Sequence, residues 1–229
     1  MADIVLFAGG RESSGPEGES LLARIFSLLG LQKPAVAYVG AASNDNRVFF
    51  MWIKSMLKKA GAGSVSLAAL ASKRADPAKA RSLLQEADVV FVSGGDVEAG
   101  MRVLERTGAD SWLREHHLAG KPFIGVSAGS IMLARSWVRW PDAGDDASAE
   151  IFPCLGLAPL LCDTHAEKED WEELKTLLRF SGRDPGYGIP AGAALQVKAD
   201  GSLAAIGKAV SRFQFRDGRL QRLADLDPA

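Results

Sequence analysis

The segment FIGVSAGSIML (123–133) places a serine between two glycines, directly after a short apolar run. Gly125, Ser127 and Gly129 form the pattern G-x-S-x-G, which is typical of a nucleophile elbow. In an elbow, a tight turn from a strand to a helix exposes the serine hydroxyl, and small neighbours let the backbone bend. A plain turn with glycines that permit close packing would carry the same letters, so the pattern alone leaves catalysis open.

A serine hydroxyl becomes a useful nucleophile when a base lies within hydrogen-bond distance. The chain has three histidines. His116 and His117 precede the strand that leads to Ser127, so we expect them at the opposite end of the sheet. His165 ends the buried run LAPLLCDTH (157–165), so we expect it at the same carboxyl edge as Ser127 and predict that it is the general base.

A histidine base is assisted by a carboxylate that holds its tautomer and stabilises its cation. Four acids of the polar loop 139–150 could fill this role: Asp142, Asp145, Asp146 and Glu150. Spacing alone does not choose among them. Asp163 lies two residues before His165, so a regular strand directs both side chains to the same face. We therefore predict that Asp163 either orients the histidine or contacts the substrate.

Acyl transfer also requires hydrogen-bond donors for the developing oxyanion. The backbone N–H of Ala128, at the start of the helix after the elbow, is one candidate donor. The glycine turn SGGD (93–96) follows another predicted strand and is the second candidate, since Gly94 and Gly95 have no side chain to block a substrate carbonyl.

The elements that must position these groups follow from hydrophobic periodicity. Strands are predicted at 3–10, 35–42, 64–70, 88–96 and 122–127. Helices are predicted at 18–30, 47–62, 76–87 and 128–137, with one or two helices at 97–120. Nearly continuous apolar strands that alternate with helices indicate an α/β fold, in which a mostly parallel central sheet has helices on both faces.

The sequence changes character after residue 138. A polar loop (139–150) is followed by the buried strand that ends at His165 and by a predicted helix at 167–180. Further on, alternating runs are split by Asp-Gly at 200–201 and 217–218, which predicts hairpins. We expect them to form an antiparallel C-terminal edge of the sheet. The chain shows no internal repeat and no linker, so we predict a single domain over 1–229.

Composition excludes several classes of function. The 229 residues carry a net charge of −1 without a basic block, which argues against nucleic-acid binding. No apolar run approaches the roughly 20 residues of a membrane helix, and the N-terminus lacks a secretory signal pattern, so a cytoplasmic protein is expected. Cys154 and Cys162 indicate neither a disulfide framework nor a metal site, and no cofactor is expected.

At these residues the chain resembles the dipeptidase E (aspartyl dipeptidase) family of serine peptidases, whose relatives include cyanophycinase. The resemblance spans most of the chain and rests on AYVGAASND (37–45), FVSGGD (91–96), GVSAG (125–129), the histidine strand and GYGIPAGAAL (186–195). The family fold is similar to that of class I glutamine amidotransferases, a three-layer flavodoxin-like sandwich with the nucleophile after a parallel strand.

The resemblance implies a role for each residue of the site. Ser127 is the expected nucleophile, and His165 is the expected base. The family's acid lies about halfway between them, where Asp142 fits best and Asp145 is the next choice. The resemblance also implies an oxyanion hole formed by the glycine turn at Gly95 together with Ala128.

Two departures from the family pattern bear on specificity. Dipeptidase E members carry an arginine beyond the histidine that pairs with the substrate aspartate, whereas HAEKEDWEELK (165–175) is acidic and has no arginine. A bidentate carboxylate partner is hard to replace, so strict aspartyl specificity is not expected. Asp96 stands where the dipeptidases have asparagine, and it could favour a substrate amine or repel a carboxylate. The D-T-H sequence at 163–165 is closer to cyanophycinases.

The sequence thus predicts a serine peptidase that hydrolyses short peptides through an acyl-enzyme, with Asp96 and Asp163 contacting the substrate. Cleavage from the N-terminus or from the C-terminus stays open, as does assembly into a homo-oligomer. Two alternatives remain: an esterase or amidase of small metabolites on the same triad, and a catalytically silent amidotransferase-like binding module.

Overall fold

A computed structural model describes residues 2–10, 20–182 and 184–228 of the chain. Its strands are β1 Ile4–Phe7, β2 Ala35–Val39, β3 Ser64–Leu67, β4 Val89–Val92, β5 Phe123–Val126, β6 Ser136–Arg139, β7 Glu150–Pro153, β8 Leu161–Thr164, β9 Gly186–Ile189, β10 Ala194–Val197, β11 Leu203–Ile206, β12 Val210–Arg216 and β13 Arg219–Leu226. Its helices are α1 Leu21–Leu28, α2 Arg47–Lys59, α3 Pro77–Glu86, α4 Val97–Thr107, α5 Ala109–Leu118, α6 Ala128–Leu133 and α7 Glu172–Ser181. Short 3₁₀ turns occupy Ala41–Ser43 and Asp146–Ser148.

The central sheet has seven strands in the order β11-β10-β1-β5-β4-β2-β3. Strands β1, β5, β4, β2 and β3 pair in parallel, whereas β10 and β11 add an antiparallel edge beside β1. The predicted α/β fold with a mostly parallel sheet and an antiparallel edge is therefore confirmed.

Alternate residues of the parallel strands point to opposite faces of the sheet, and each face is covered by helices. Val5, Tyr38 and Phe91 pack on the face that α1 and α2 cover. Leu6 and Val92 pack on the other face, which is covered by α3, α4, α5 and α6. The two cores explain why these strands read as continuous apolar runs: both faces of each strand are buried.

A second, four-stranded sheet in the order β13-β12-β9-β8 was not expected. The hairpin of β12 and β13 pairs with β9 and does not extend the central sheet. Its alternating sequence buries one face only, and α7 covers that face by packing Leu174 and Leu177 near Phe213. Alternation predicts such a one-sided strand but carries no information about which sheet the strand joins.

The segment after α6 also differs from the prediction. A helix was predicted to continue to residue 137, but α6 ends at Leu133 and the chain enters β6. Strand β6 pairs antiparallel with β7, so the predicted loop 139–150 is the connection of a hairpin. The β-propensity of Trp137 and Val138 outweighs the helical spacing of their apolar neighbours.

The turn predictions hold. Asp-Gly at 217–218 connects β12 to β13, and both residues have positive φ (51° and 75°), as hairpins with primed turns require. Gly201 (φ 84°) lies in the turn between β10 and β11. The predicted helical region 97–120 is two helices, separated by Gly108 with φ 72°. Within the described ranges, no helix is both long and apolar enough to cross a membrane.

The first prediction concerns the strand that carries the elbow. Phe123 in β5 is fully buried, so truncation removes a large apolar side chain from the core beneath the site. We expect Phe123→Ala to lower the free energy of unfolding by about 3–5 kcal/mol, measured by chemical denaturation. Leu118→Ala on α5 is the control: Leu118 is 69% exposed, and we expect a change within about 0.5 kcal/mol. Equal effects of the two substitutions would contradict this account of the core.

Candidate active site

Ser127 occupies a sharp turn between β5 and α6. Its backbone has φ 53° and ψ −124°, a conformation that few non-glycine residues adopt. The Ser127 N–H donates to the carbonyl of Phe7 at 2.9 Å, which anchors the turn to β1. A strained serine at a strand-to-helix turn is the local geometry of a nucleophile elbow.

The two glycines of the motif are required by close packing. A Cβ atom at Gly129 would lie 2.1 Å from the carbonyl oxygen of Val92, and one at Gly125 would lie 2.7 Å from the carbonyl oxygen of Gly129. Neither position has room for a side chain, because α6 starts directly against the end of β4. The glycines therefore set the depth at which Ser127 emerges.

His165 lies beside Ser127. The Oγ atom of Ser127 is 2.8 Å from Nε2 of His165, a distance at which a neutral Nε2 accepts the hydroxyl proton. His165 follows β8 directly, has φ 47°, and donates its backbone N–H to the carbonyl of Ile189 in the neighbouring strand region. The expected meeting of the two side chains at the carboxyl ends of their strands is present, although the strands belong to different sheets.

The glycine turn after β4 approaches the serine closely. A Cβ atom at Gly94 would lie 3.1 Å from Cβ of Ser127. Gly95 has φ 143°, and a Cβ there would lie 2.0 Å from the carbonyl oxygen of Ala42, so this position also excludes a side chain. Within the described residues, the backbone N–H groups of Gly95 and Ala128 donate no hydrogen bond. No acceptor in the described part of the chain therefore competes for either amide.

The acids of the loop 139–150 have partners other than His165 or are exposed. Asp142 is exposed and accepts the N–H of Gly144 at 3.0 Å, while Asp145 accepts the N–H of Ala147. Glu150 forms an ion pair with Arg139, and Asp146 is exposed in the same loop. Among the described residues, no carboxylate forms a hydrogen bond with His165. The role of Asp142 as the triad acid therefore stays a prediction.

Asp163 lies two residues before His165 and is buried, with 7% of its surface exposed. Its Oδ1 accepts the N–H of Thr164 at 2.7 Å, whereas its Oδ2 is buried and has no partner in the described part of the chain. Burial raises the pKa of the Asp163 carboxyl to about 7, against the lowering effect of the Thr164 hydrogen bond. The charges of Glu173, Glu169 and Glu167 raise this pKa further.

Two cavities meet at the Ser127–His165 pair, and both are lined by Gly95. The first, which we call the acidic cavity, has a volume of about 590 Å³ and is lined by Gly95, Asp96, Val97, Ser127, Ala128, Ile131, Trp137, Asp163, Thr164, His165, Ala166, Glu169, Glu172 and Glu173. The second, the apolar cavity, has a volume of about 660 Å³ and is lined by Phe7, Ala8, Gly9, Gly10, Leu22, Phe49, Trp52, Ile53, Met56, Phe91, Gly94, Gly95, Val126, Ser127 and His165. A bound substrate can therefore extend from the serine in two directions of different chemistry.

The remaining candidates lie away from the site or are inert. His117 is buried, with Nε2 3.1 Å from the carbonyl oxygen of Ala2, at the edge of the sheet opposite to Ser127. Cys162 is buried, and burial raises the pKa of its thiol well above the usual value, so it is not an activated nucleophile. The described residues contain no cluster of three or more potential metal ligands among His, Cys, Asp and Glu side chains.

The profile of peptidase family S51 matches residues 4–204, which include the elbow, the histidine and both cavities. The chain belongs to peptidase family S51. The predicted resemblance to dipeptidase E-like peptidases is thereby confirmed.

The curated relatives include both peptidases and subunits of pyridoxal 5'-phosphate synthase. Peptidase E of Shewanella amazonensis is 32% identical over 137 residues, which cover 56% of this chain and 57% of that protein. Pyridoxal 5'-phosphate synthase subunit PdxT of Halobacterium salinarum is 37% identical over 94 residues, covering 37% of this chain and 43% of that protein. The chain thus spans about half the length of the curated relatives it matches.

A solved structure supports the fold. The crystal structure of a peptidase from an acI-B1 Actinobacterium superposes with a TM-score of 0.72 at 18% identity, covering 99% of this chain and 97% of that chain. At this level of identity the likeness shows the fold alone, and the fold agrees with the prediction.

The sequence predicted two wall residues of the acidic cavity, Asp96 and Asp163, but not the side chains that α7 and α2 contribute to the two cavities. Trp137 and Glu173 reach the acidic cavity from a hairpin and from the start of α7. Phe49 and Trp52 reach the apolar cavity from α2. The acidic run EKEDWEE (167–173) is the feature of the sequence that indicates this acidic wall.

The second prediction follows from the raised pKa of Asp163. The folded protein keeps this carboxyl protonated up to about pH 7, whereas the unfolded chain releases the proton near pH ~3.9. Its contribution to stability is therefore fully present below about pH 3.9 and is lost as the pH rises through about 7. Asparagine cannot ionise. We therefore expect the free energy of unfolding of Asp163→Asn, relative to that of the wild type, to increase between about pH 3.9 and about pH 7 and to stay constant above about pH 7. Denaturation of both proteins at a series of pH values measures the difference, and a difference independent of pH would refute the assignment.

Proposed function

We propose that the protein is a serine peptidase that hydrolyses short peptides through an acyl-enzyme on Ser127. The observation that carries the proposal is the 2.8 Å distance between Ser127 Oγ and His165 Nε2 at an elbow with strained backbone geometry. Membership of peptidase family S51 supports the reaction class. The alternative of a catalytically silent binding module would leave the serine–histidine contact without a purpose.

The reaction follows from these positions. His165 Nε2 accepts the proton of Ser127 as Oγ attacks the carbonyl carbon of the scissile amide, and the carbonyl oxygen becomes an oxyanion. The N–H groups of Gly95 and Ala128 stabilise this oxyanion. The imidazolium then returns the proton to the leaving nitrogen, the C–N bond breaks, and the amine departs. A water molecule, deprotonated by His165, hydrolyses the acyl-enzyme by the same steps.

The size of the site supports short substrates. Each cavity holds about 590–660 Å³, which suits one or two amino-acid residues on each side of the scissile bond. Cleavage of a residue from one end of a short peptide fits such a site better than cleavage within a folded protein.

The structure bears on the third member of the triad. His165 has φ 47°, and its backbone N–H donates to the carbonyl of Ile189. The backbone therefore fixes the position from which the imidazole side chain extends, and no carboxylate is needed for this. We propose that Ser127 and His165 work as a pair, with the acids of the loop 139–150 outside the reaction.

The third prediction tests the nucleophile. A fluorophosphonate probe should label the native wild-type protein at Ser127, because Oγ is exposed to the cavities and paired with a base. Ser127→Ala should abolish labelling and lower peptide hydrolysis by at least about 10³-fold. Ser130→Ala is the matched control: Ser130 lies three residues on in α6, is fully buried and donates to the carbonyl of Phe7. Labelling that survives in Ser127→Ala would remove the proposed nucleophile.

The fourth prediction tests the loop acid. Asp142→Asn should keep kcat within about threefold of the wild type, because Asp142 bonds only within its own loop. Removal of a true triad acid costs about 10⁴-fold in kcat. Steady-state hydrolysis of a peptide that the wild type cleaves measures the difference, with Asp145→Asn assayed in parallel. A loss of that larger size in Asp142→Asn would reinstate Asp142 as the triad acid.

A further inference from the structure

The acidic cavity contains an excess of negative charge directly beside the reactive pair. Five acidic side chains line it: the exposed Asp96, Glu169, Glu172 and Glu173, which carry the negative charge, and the buried Asp163, which stays protonated up to about pH 7. No lysine or arginine of the described chain lines it, and His165 is its one titratable nitrogen group. At short range in a partly desolvated site, such charges repel carboxylates and attract cations.

Nearby cations neutralise few of these acids. Lys175 pairs with Asp170, outside the cavity, and Arg139 pairs with Glu98 and Glu150. Arg179 lies 3.4 Å from Glu172, so one of the five acids has an exposed ion-pair partner.

The helix start accounts for part of the acidity. Glu172 and Glu173 lie in the first turn of α7, where negative charge stabilises a helix. Asp96 caps α4 by accepting the N–H of Ala99. Glu169 and Asp163 have no such role, because neither lies in the first turn of a helix or caps one. These two acids therefore call for a different explanation.

Asp163 supplies an observation independent of the surface acids. It is a wall of the cavity with only 7% of its surface exposed, and its Oδ2 has no partner among the described residues. A buried carboxylate oxygen without a partner is costly, and native structures usually satisfy such atoms with protein, water or a ligand. A cation in the cavity would offset both its desolvation and its repulsion by Glu169 and Glu173.

An aromatic ring completes the cavity wall. Trp137 lines the cavity and donates its indole N–H to Glu173 at 2.9 Å, which fixes both side chains. An indole face together with fixed carboxylates is a chemical environment that favours ammonium and guanidinium groups.

We propose that the acidic cavity is the specificity subsite of the enzyme and that it binds a cationic group of the substrate, an ammonium or a guanidinium. This rests on the proposed peptidase function. The substrate is then a short peptide with a positive charge on one side of the scissile bond and an uncharged, preferably apolar, residue on the other. The positive charge comes from a free N-terminal ammonium or from a lysine or arginine side chain.

The apolar cavity fits the second half of this substrate. Phe49, Trp52, Ile53 and Met56 project into it from α2, and no acidic or basic side chain other than His165 lines it in the described part of the chain. Ser127 thus has acidic side chains on one side and apolar side chains on the other. A substrate that fills both cavities therefore needs a cationic group at one end and an apolar group at the other.

Binding to the inactive variant Ser127→Ala tests the proposal without requiring turnover. The ligands are Lys-Phe, norleucine-Phe and their N-acetylated forms, with Phe-Lys and Phe-norleucine as the reversed pair, each measured by isothermal titration calorimetry. We expect Lys-Phe or Phe-Lys to bind at least tenfold more tightly than its counterpart without the cation. If affinity falls when lysine is replaced by norleucine, the cavity binds the lysine side chain. If affinity falls on N-acetylation, the cavity binds the N-terminal ammonium group.

Variants connect the preference to the cavity. Glu169→Gln and Asp163→Asn, each combined with Ser127→Ala, should reduce the tenfold preference to threefold or less, and 1 M NaCl should weaken binding of the cationic peptides. Glu169 is exposed, so its variant does not depend on a change in folding. Glu115→Gln, an exposed acid on α5 that does not line the cavity, is the control and should keep the full preference.

The outcomes separate the two proposals. Equal binding of all six peptides, or a preference that survives in both cavity variants, overturns the cationic subsite whether or not Ser127 is labelled by the fluorophosphonate probe. A cation preference that depends on Glu169 and Asp163 supports the subsite even if labelling fails, in which case the peptidase mechanism is the part that is wrong.

Discussion

The site depends on one hydrogen bond between groups carried by different sheets. Ser127 follows a central strand of the seven-stranded sheet, and His165 follows the edge strand of the four-stranded sheet. Helix α6 joins the two: it begins at the elbow, packs against β8, and accepts the thiol of Cys162 at the carbonyl of Ser130. Arg135, just after the helix, donates its N–H to the carbonyl of Leu160 before β8. The short helix therefore helps to set the distance between Ser127 and His165.

Both reactive residues hold backbone conformations that cost free energy. Ser127 and His165 are non-glycine residues with φ near 50°, and such positions cost about 1–3 kcal/mol each. Each is held by a hydrogen bond to a neighbouring strand region, Ser127 through Phe7 and His165 through Ile189. These two backbone conformations thus lower the free energy of unfolding, and the packing of the buried strands around them offsets this cost.

The sequence could predict those parts of the molecule that depend on local chemistry. The elbow glycines, the Asp-Gly turns and the strand ending at His165 each have a short-range physical cause, and all are present in the structure. The second sheet could not be predicted. The alternation of apolar and polar residues in 210–226 indicates that one face of each strand is buried, but it does not indicate which strand pairs with it. The contact between Trp137 and Glu173 could not be predicted for a related reason: one lies on β6 and the other on α7, and only the packing of these elements brings them together. Asp163, by contrast, was predicted to lie at the site, and it lines the acidic cavity. The choice of Asp142 rested on resemblance and stays a prediction, because spacing along the chain does not determine which partners a loop carboxylate has in the fold.

The two cavities also divide between the two parts of the fold. The walls of the apolar cavity come from β1, α1, α2 and β4, which belong to the central sheet and its covering helices. Most of the acidic side chains come from β8 and the start of α7, outside that sheet. Because the reactive pair lies at the boundary, changes in the second sheet and its helix can alter the charge offered to a substrate while β4, β5 and the glycine turn stay in place. The proposed chemistry therefore depends on the central sheet, and the proposed charge selectivity depends mainly on the layer packed against it.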